Sequence, residues 1–445
     1  MRYLIFPVLI SAALILSIHL NRPFYGYHDW NGITYGQIAR NYLRYGYITT
    51  KFAQVENLSL VTPEEFRYDT HFPPLFTIAT SLFMHLFGAN HTTIRLPAVI
   101  ASLFSLYLIY RLTFSVTTSA ATALSAAIIA IFTPIFLYFG KNPVHEIFIL
   151  PFLLLNTLIF HLYISHRQSY HFYLLIFTIL TSLLVGWPSY YFPLLASVIG
   201  LVLTRQKRFL LLGLLPFLVF AFYLFHHYLI TGELFGGELL TILKYRLNLD
   251  PLSAKYAFTP LQFISRFFLF SRNMFTLPLL ITSTLGFLFF SQYRLILLLL
   301  TTGIIHPLLF QNAGYLHDYL QFPFLGFLSI SSALLLSQLT KHKAYYLMPA
   351  TCALAFFSLL TKLEFTKTII TADMGRPEYD LTINVIKPLA VNDTITLSPS
   401  QATLLTGVIP PYYLQKEVET HLIDGTKTYL GTMHQDRFVI TPADN

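Results

Sequence analysis

The chain has 445 residues, of which 55% are hydrophobic and 11% charged, with a mean hydropathy of +0.60 and a formal net charge of +8. A soluble chain carries closer to a quarter charged residues, so a water-soluble enzyme is excluded and an integral membrane protein is expected. Basic residues in such a protein set orientation and meet lipid phosphates, so the charge does not argue for a nucleic-acid partner.

Apolar runs suited to crossing about 30 Å of hydrocarbon recur along the sequence. They fall near residues 3–20, 94–112, 120–139, 147–164, 172–185, 191–204, 209–229, 275–290, 295–310, 322–339 and 344–360, about eleven spans in all. The first lacks a small-residue cleavage site and reads as an uncleaved span. Between it and the second lies a polar segment that opens with Tyr27-His28-Asp29-Trp30 and closes with Thr70-His71-Phe72-Pro73-Pro74. Within that segment, residues 31–45 have helical periodicity. Tyr35, Ile38, Ala39, Tyr42 and Leu43 form an apolar stripe, while Gln37, Arg40, Asn41 and Arg44 take the other face, and Gly46 is the stop. A helix of this kind is expected to lie on the membrane plane, apolar side down. Residues 75–87 are apolar but short and carry His85, which favours an interfacial or re-entrant helix over a span.

Gly186-Trp187-Pro188 interrupts the apolar stretch between residues 172 and 204. If the eleven spans alternate, Arg2, Arg111, Arg167, Arg205, Lys207, Arg208, Arg294, Lys341 and Lys343 all fall on one side. The opposite short turns contribute Lys141, so the positive-inside rule places the amino terminus in the cytoplasm. The first loop (21–93), a second large loop (230–273) and the tail (363–445) then lie outside, with a transmembrane domain over residues 1–362. Residues 395–397 and 438–440 of the tail read as short strands. The single cysteine, Cys352, forms no internal disulfide.

Three His–carboxylate pairs fall at outer span ends in this topology: His28-Asp29, His145-Glu146 and His317-Asp318. Ionisable groups at such positions usually line a cavity or a substrate path. The plain alternative for Asp29 is that it caps the following helix, and for the other two pairs that they anchor span ends. Arg95 at the mouth of the second span, with Lys244, Arg246, Lys255, Arg266 and Arg272 on the second large loop, are natural partners for a phosphate diester. His71 marks a rigid turn before Pro73-Pro74. No cofactor is expected. A divalent metal on His28, Asp29, Glu146, His317 and Asp318 stays open, although no close ligand spacing such as His-Glu-x-x-His is present. A Walker loop, a Gly-x-Ser-x-Gly elbow and a dinucleotide fingerprint are absent from the sequence.

The Asp29 loop with its following helix, the Thr70–Leu75 turn, Arg95-Leu96-Pro97, Glu146 and His317-Asp318-Tyr319 together resemble the GT-C glycosyltransferases. Within these, the match is to the protein O-mannosyltransferase and aminoarabinose-transferase-like group, glycosyltransferase family 39, over roughly residues 1–340. The resemblance implies a GT-C-like fold of about eleven transmembrane helices with surface helices on the first outer loop and a small α/β tail. It implies transfer, with inversion, of a sugar carried on a polyprenyl or dolichyl phosphate at the outer face. Asp29 would be the catalytic carboxylate and Glu146 the second acidic position; Trp30 stands where the family often has Glu, which leaves the acceptor open. Metal dependence does not carry over.

The chemistry agrees. A departing polyprenyl phosphate needs cations, and the acceptor needs a base. Asp29 would be that base, with Glu146 orienting sugar or acceptor and Arg95 and the second-loop cations on the phosphate; His28, His71, His317 and Asp318 complete the candidate binding set. The expected partners are the lipid-linked donor, a lipid, glycan or protein acceptor, and membrane lipid. A lipid-linked-sugar transporter is the alternative, kept open by the Gly186–Pro188 break but disfavoured by the absence of an internal repeat. A non-catalytic assembly or receptor protein comes third.

Overall fold

A computed structural model describes residues 4–234, 238–249, 258–289, 294–420 and 428–443. Most of them are helical, and the chain is a multi-pass membrane protein. Among the described residues, five helices are long and apolar enough to cross a membrane: His91–Thr117, His145–His166, Trp187–Thr204, Phe209–Thr231 and Asp318–Leu339. Ala344–Leu360 with Leu363–Ile386, bent by 64°, makes a sixth if the pair is one span. The other expected runs fall on shorter apolar helices, among them Ile5–Ser17, Ala120–Ile131, Ser169–Leu183, Leu277–Leu288 and Leu297–Leu309. The run expected at 120–139 is split, because the Thr133 hydroxyl caps a new helix, Pro134–Phe139, with proline at its first position. Leu75–Phe87 is a helix of 13 residues, about 20 Å, too short to span.

The chain divides into two compact units. The first comprises Met1–Leu20, Thr70–Phe76 and Leu96–Thr366; the second comprises Asn21–Asp69, Thr77–Arg95 and Lys367–Asn445. Most of the first loop, residues 21–69 and 77–95, therefore belongs with the tail, while its turn at residues 70–76 belongs to the first unit.

In the first unit, close packing replaces the hydrophobic drive that lipid removes. Helix Leu325–Leu339 is buried along most of its length and is rich in small and hydroxyl residues. A Cβ on Gly286 would lie 2.2 Å from Ser331 O, and one on Gly303 would lie 2.9 Å from Phe324 Cα. Hydroxyl groups bridge neighbouring helices: Ser331 Oγ donates to Ser283 O at 2.7 Å, and Thr351 Oγ1 to Ser125 Oγ at 2.8 Å.

In the second unit, helix Trp30–Tyr45 ends at Gly46, whose φ of +84° is why glycine stands there. The helix does not lie apolar side down on lipid. Ile33 and Ala39 pack in a core with Phe24, Met84, Ile94, Ile409 and Tyr412. Its polar face is buried as well: Asn41 Nδ2 donates to Val55 O (2.9 Å) and Asn57 O (2.7 Å), and Gln37 Nε2 to Asn57 O (2.9 Å). The tail folds back over the stripe, and Gln37 and Asn41 satisfy carbonyls of an irregular segment; periodicity signals neither.

Strands β1 (Gln54–Val55) and β2 (Tyr68–Asp69) pair antiparallel. The tail carries β3 (Thr394–Leu397), β4 (Glu417–Thr420), β5 (Tyr429–Met433) and β6 (Arg437–Pro442), in the order β3-β5-β6-β4 with β4 parallel to β6. Both strands read from the sequence are present. Leu397, Tyr429, Met433, Phe438 and Ile440 form the core of this sheet, with Ile386 and Leu405 against it.

Gly286→Ala should therefore cost about 1–3 kcal/mol through overpacking against Ser331. Thermal unfolding in detergent checks this; an unchanged midpoint would contradict the close helix approach.

Candidate active site

In the second unit, an irregular turn carries the carboxylate. His28 has φ +54°, the left-handed region, and swings the chain into helix Trp30–Tyr45 immediately after Asp29. Asp29 stands at the N-cap position, yet its side chain makes no capping hydrogen bond. It turns back instead. Gly26 N–H donates to Asp29 Oδ2 at 2.8 Å, and Arg95 Nη2 lies 3.5 Å from Oδ1. Side-chain exposure is 10% for Asp29 and 5% for Arg95, so each charge depends on the other for compensation. Arg95 Nη1 also donates to Arg22 O, and its guanidinium lies 4.2 Å from the Phe24 ring centre. Arg95, expected on phosphate, here holds the carboxylate turn. His28 packs against the Tyr27 ring (4.3 Å), and its Nδ1 accepts from Trp30 Nε1 at 3.3 Å.

In the first unit, a second cluster forms around the His71 turn. Trp187 Nε1 donates to His71 O at 2.7 Å, and the Tyr223 hydroxyl donates to Thr70 O. The His71 and Phe72 rings stack at 4.3 Å, and Phe72 stacks on His145 at 4.2 Å. His145 Nδ1 lies 2.8 Å from Val185 O, which fixes that ring at the start of helix His145–His166. Glu146 follows in the same turn and is buried, as is Asp318.

Beside this stack is a cavity of about 270 Å³. His71, Trp187, Tyr190, Tyr191, Arg246 and His306 line it with several leucine and phenylalanine side chains. His306 Nδ1 is 3.1 Å from the Tyr191 hydroxyl. The burial of His71, then the charge of Arg246 and the nearby His145, His317 and His306, hold the His71 pKa well below its ordinary value. The cavity thus joins a guanidinium, a neutral imidazole and apolar walls, which suits an anionic head on an apolar chain.

The structure brings together His71, His145, Arg246 and His317, and the charge of Arg246 reaches Glu146. The other second-loop cations, where described, have surroundings of their own. Lys244 is exposed on helix Glu238–Arg246. Arg266 lies over the Phe270 and Tyr315 rings at 4.6 and 5.7 Å, and exposed Arg272 acts on Lys362. Lys255 lies outside the described residues. Among the described residues, no three His, Cys, Asp or Glu side chains are grouped to hold a metal ion. His306 and Tyr191 escaped the sequence reading, although a histidine before Pro307 inside an apolar run was a usable signal.

Residues 71–230 match the family model described as dolichyl-phosphate-mannose-protein mannosyltransferase. The resemblance read from the sequence is thereby shown over a segment containing the His71 turn, Arg95 and His145-Glu146. No curated protein matches the chain. Among solved structures, it is similar to ArnT from Cupriavidus metallidurans bound to undecaprenyl phosphate (14% identity, TM-score 0.49, 92% of this chain and 74% of that one). It is similar to the Archaeoglobus fulgidus oligosaccharyltransferase in complex with Zn and sulfate (18% identity, TM-score 0.49, 80% of this chain and 52% of that one). It is also similar to arabinosyltransferase EmbB from Mycobacterium smegmatis (15% identity, TM-score 0.45, 75% of this chain and 30% of that one).

Removing one member of a buried ion pair strands the other, so Arg95→Ala should cost roughly 3–5 kcal/mol of stability. A thermal midpoint within a degree of wild type would contradict the pairing. The His71 shift has a signed consequence. The unfolded chain protonates His71 near pH 6.5 while the folded chain resists, so stability falls as pH drops below about 7. Midpoints at pH 7.5 and 5 should differ less in His71→Gln than in wild type; equal differences would contradict the account.

Proposed function

We propose that the chain is a glycosyltransferase that moves a sugar from a polyprenyl phosphate to a lipid, glycan or protein acceptor at the outer face of the cytoplasmic membrane. The transfer inverts the anomeric centre, with Asp29 as general base. The observation that carries this reading is that Asp29 occupies the N-cap position without capping the helix. Its two oxygens are oriented by Gly26 N–H and Arg95 in place of the helix amides, which supports a role for the carboxylate beyond capping. The family match over residues 71–230, to proteins described by a dolichyl-phosphate sugar, supports the donor class.

The donor's leaving group is a phosphate already stable as an anion, so no strong general acid is required at that oxygen. Positive charge is required, and Arg246 in the wall of an otherwise apolar and aromatic cavity supplies it. Neutral His71 contributes a hydrogen bond without competing for the phosphate's charge. The polyprenyl chain suits the apolar walls, and buried Glu146 is assigned to orient sugar or acceptor hydroxyls. In this reading the amino terminus is cytoplasmic and the tail extracytoplasmic, as the distribution of Arg and Lys in short loops favours.

The test is sugar release from labelled polyprenyl-phosphate sugars by purified protein in liposomes. Asp29→Asn should lower turnover by about 10²–10⁴-fold, the range of general-base catalysis. Arg246→Gln should raise donor KM roughly tenfold, the loss of a charge-assisted contact. Equal turnover by wild type and Asp29→Asn would remove Asp29 from the mechanism. Donor binding without turnover across a broad panel would favour the transporter reading.

A further inference from the structure

Resting on that reading of Asp29, we infer that the tail is a positioning element for the carboxylate, with Tyr413 as its key positioning residue. Residues 22–29, between helix Ile5–Ser17 and helix Trp30–Tyr45, form no regular helix or strand. A segment of this kind loses conformational entropy on being fixed and requires partners to hold one shape. The tail provides them, and they fall mostly on backbone atoms.

Arg22 Nη1 donates to Ile370 O at 3.0 Å, and Arg22 Nη2 to Ala372 O. Gly375 N–H donates to Tyr25 O at 2.9 Å. Phe24 N–H donates to the Tyr413 hydroxyl at 2.8 Å, and that hydroxyl lies 3.1 Å from His91 Nε2. The Tyr25 and Tyr379 rings meet at 5.3 Å. Arg22, Phe24 and Tyr25 are thus fixed residue by residue.

The same segment is tied to Asp29 from its other side. Arg95 donates to Arg22 O and meets Asp29 Oδ1, while Gly26 N–H holds Oδ2. A Cβ at Gly26 would come within 2.9 Å of Asp29 Oδ2 and 3.2 Å of Ala372 O, so the tail backbone and the carboxylate crowd one glycine. The circuit closes: tail carbonyls on Arg22, Arg22 on Arg95, Arg95 on Asp29, Asp29 on Gly26, and Gly26 against Ala372. Loosening Tyr413 frees Phe24 N–H and, two residues on, the Gly26 donor that orients Oδ2. The tail is in this account part of the Asp29 site, separated from it by more than 340 residues of sequence.

The test uses the full chain in liposomes. Tyr413→Phe removes one hydroxyl and keeps the ring. It should lower kcat about tenfold, the value of one hydrogen bond, with donor KM within about twofold of wild type. On the Asp29→Asn background the same change should alter the residual single-turnover rate by less than about twofold, because Tyr413 acts through Asp29. An equal proportional loss on both backgrounds would overturn the inference. Amide exchange supplies a readout independent of activity. Residues 22–26 should lose roughly tenfold protection in Tyr413→Phe while peptides of β5 and β6 keep theirs. Unchanged protection at 22–26, or loss spread through the tail, would overturn it. If wild type turns over no polyprenyl-phosphate sugar, the functional reading fails and amide exchange alone decides the role of Tyr413.

Discussion

A carboxylate and a guanidinium placed together where water barely reaches must satisfy each other, and the structure around Asp29 and Arg95 follows from that constraint. Neither side chain is more than a tenth exposed. The Coulomb gain of such a pair offsets its desolvation only when further hydrogen bonds fix both partners. Gly26 N–H provides one and Arg22 O the other. The left-handed backbone at His28 lets the chain turn tightly enough for the acid to reach back three residues instead of forward into its helix. A capping aspartate would point the other way, so the local geometry excludes the capping hydrogen bond for this side chain.

The first unit answers to a different solvent. Between helices in lipid, apolar surface provides no drive for association, and the helices meet through glycine, serine and threonine. Against this tight packing, a cavity of about 270 Å³ stands out, and its wall contains Arg246 beside His71 and His306. Burial first, and then the permanent charge of Arg246 beside it, raise the cost of protonating the His71 imidazole and hold its pKa well below the ordinary value. An anion entering there would meet a charge and a neutral hydrogen-bonding ring, and its apolar chain would meet leucine and phenylalanine.

Much of the fold was legible in the sequence, because hydropathy is local. Helices appear where the apolar runs were read, and both tail strands appear where β-branched residues cluster. His145 and His317 were singled out by their positions near span ends and His71 by its turn before Pro73-Pro74, and the structure places the first two, with Arg246, near enough to His71 to act on it. Three features were not legible. Thr133-Pro134 splits a run that hydropathy treats as continuous. The amphipathic stripe of Trp30–Tyr45 meets protein instead of lipid, because Ile409 and Tyr412 return to it from the far end of the chain. Arg95 pairs with Asp29, although a basic residue at a span mouth reads equally well as a phosphate ligand. Each depends on contacts that no sequence period encodes.

The central claim is that Asp29 acts on the reacting hydroxyl and does not hold the donor. The most direct measurement compares donor affinity and single-turnover rate for wild type and Asp29→Asn in the same liposomes, with a labelled polyprenyl-phosphate sugar. The account predicts affinities within about twofold and a rate at least a hundredfold lower in the variant, since base catalysis enters only the transition state. A wild-type rate in the variant, or a loss of affinity that matches the loss of rate, would contradict it.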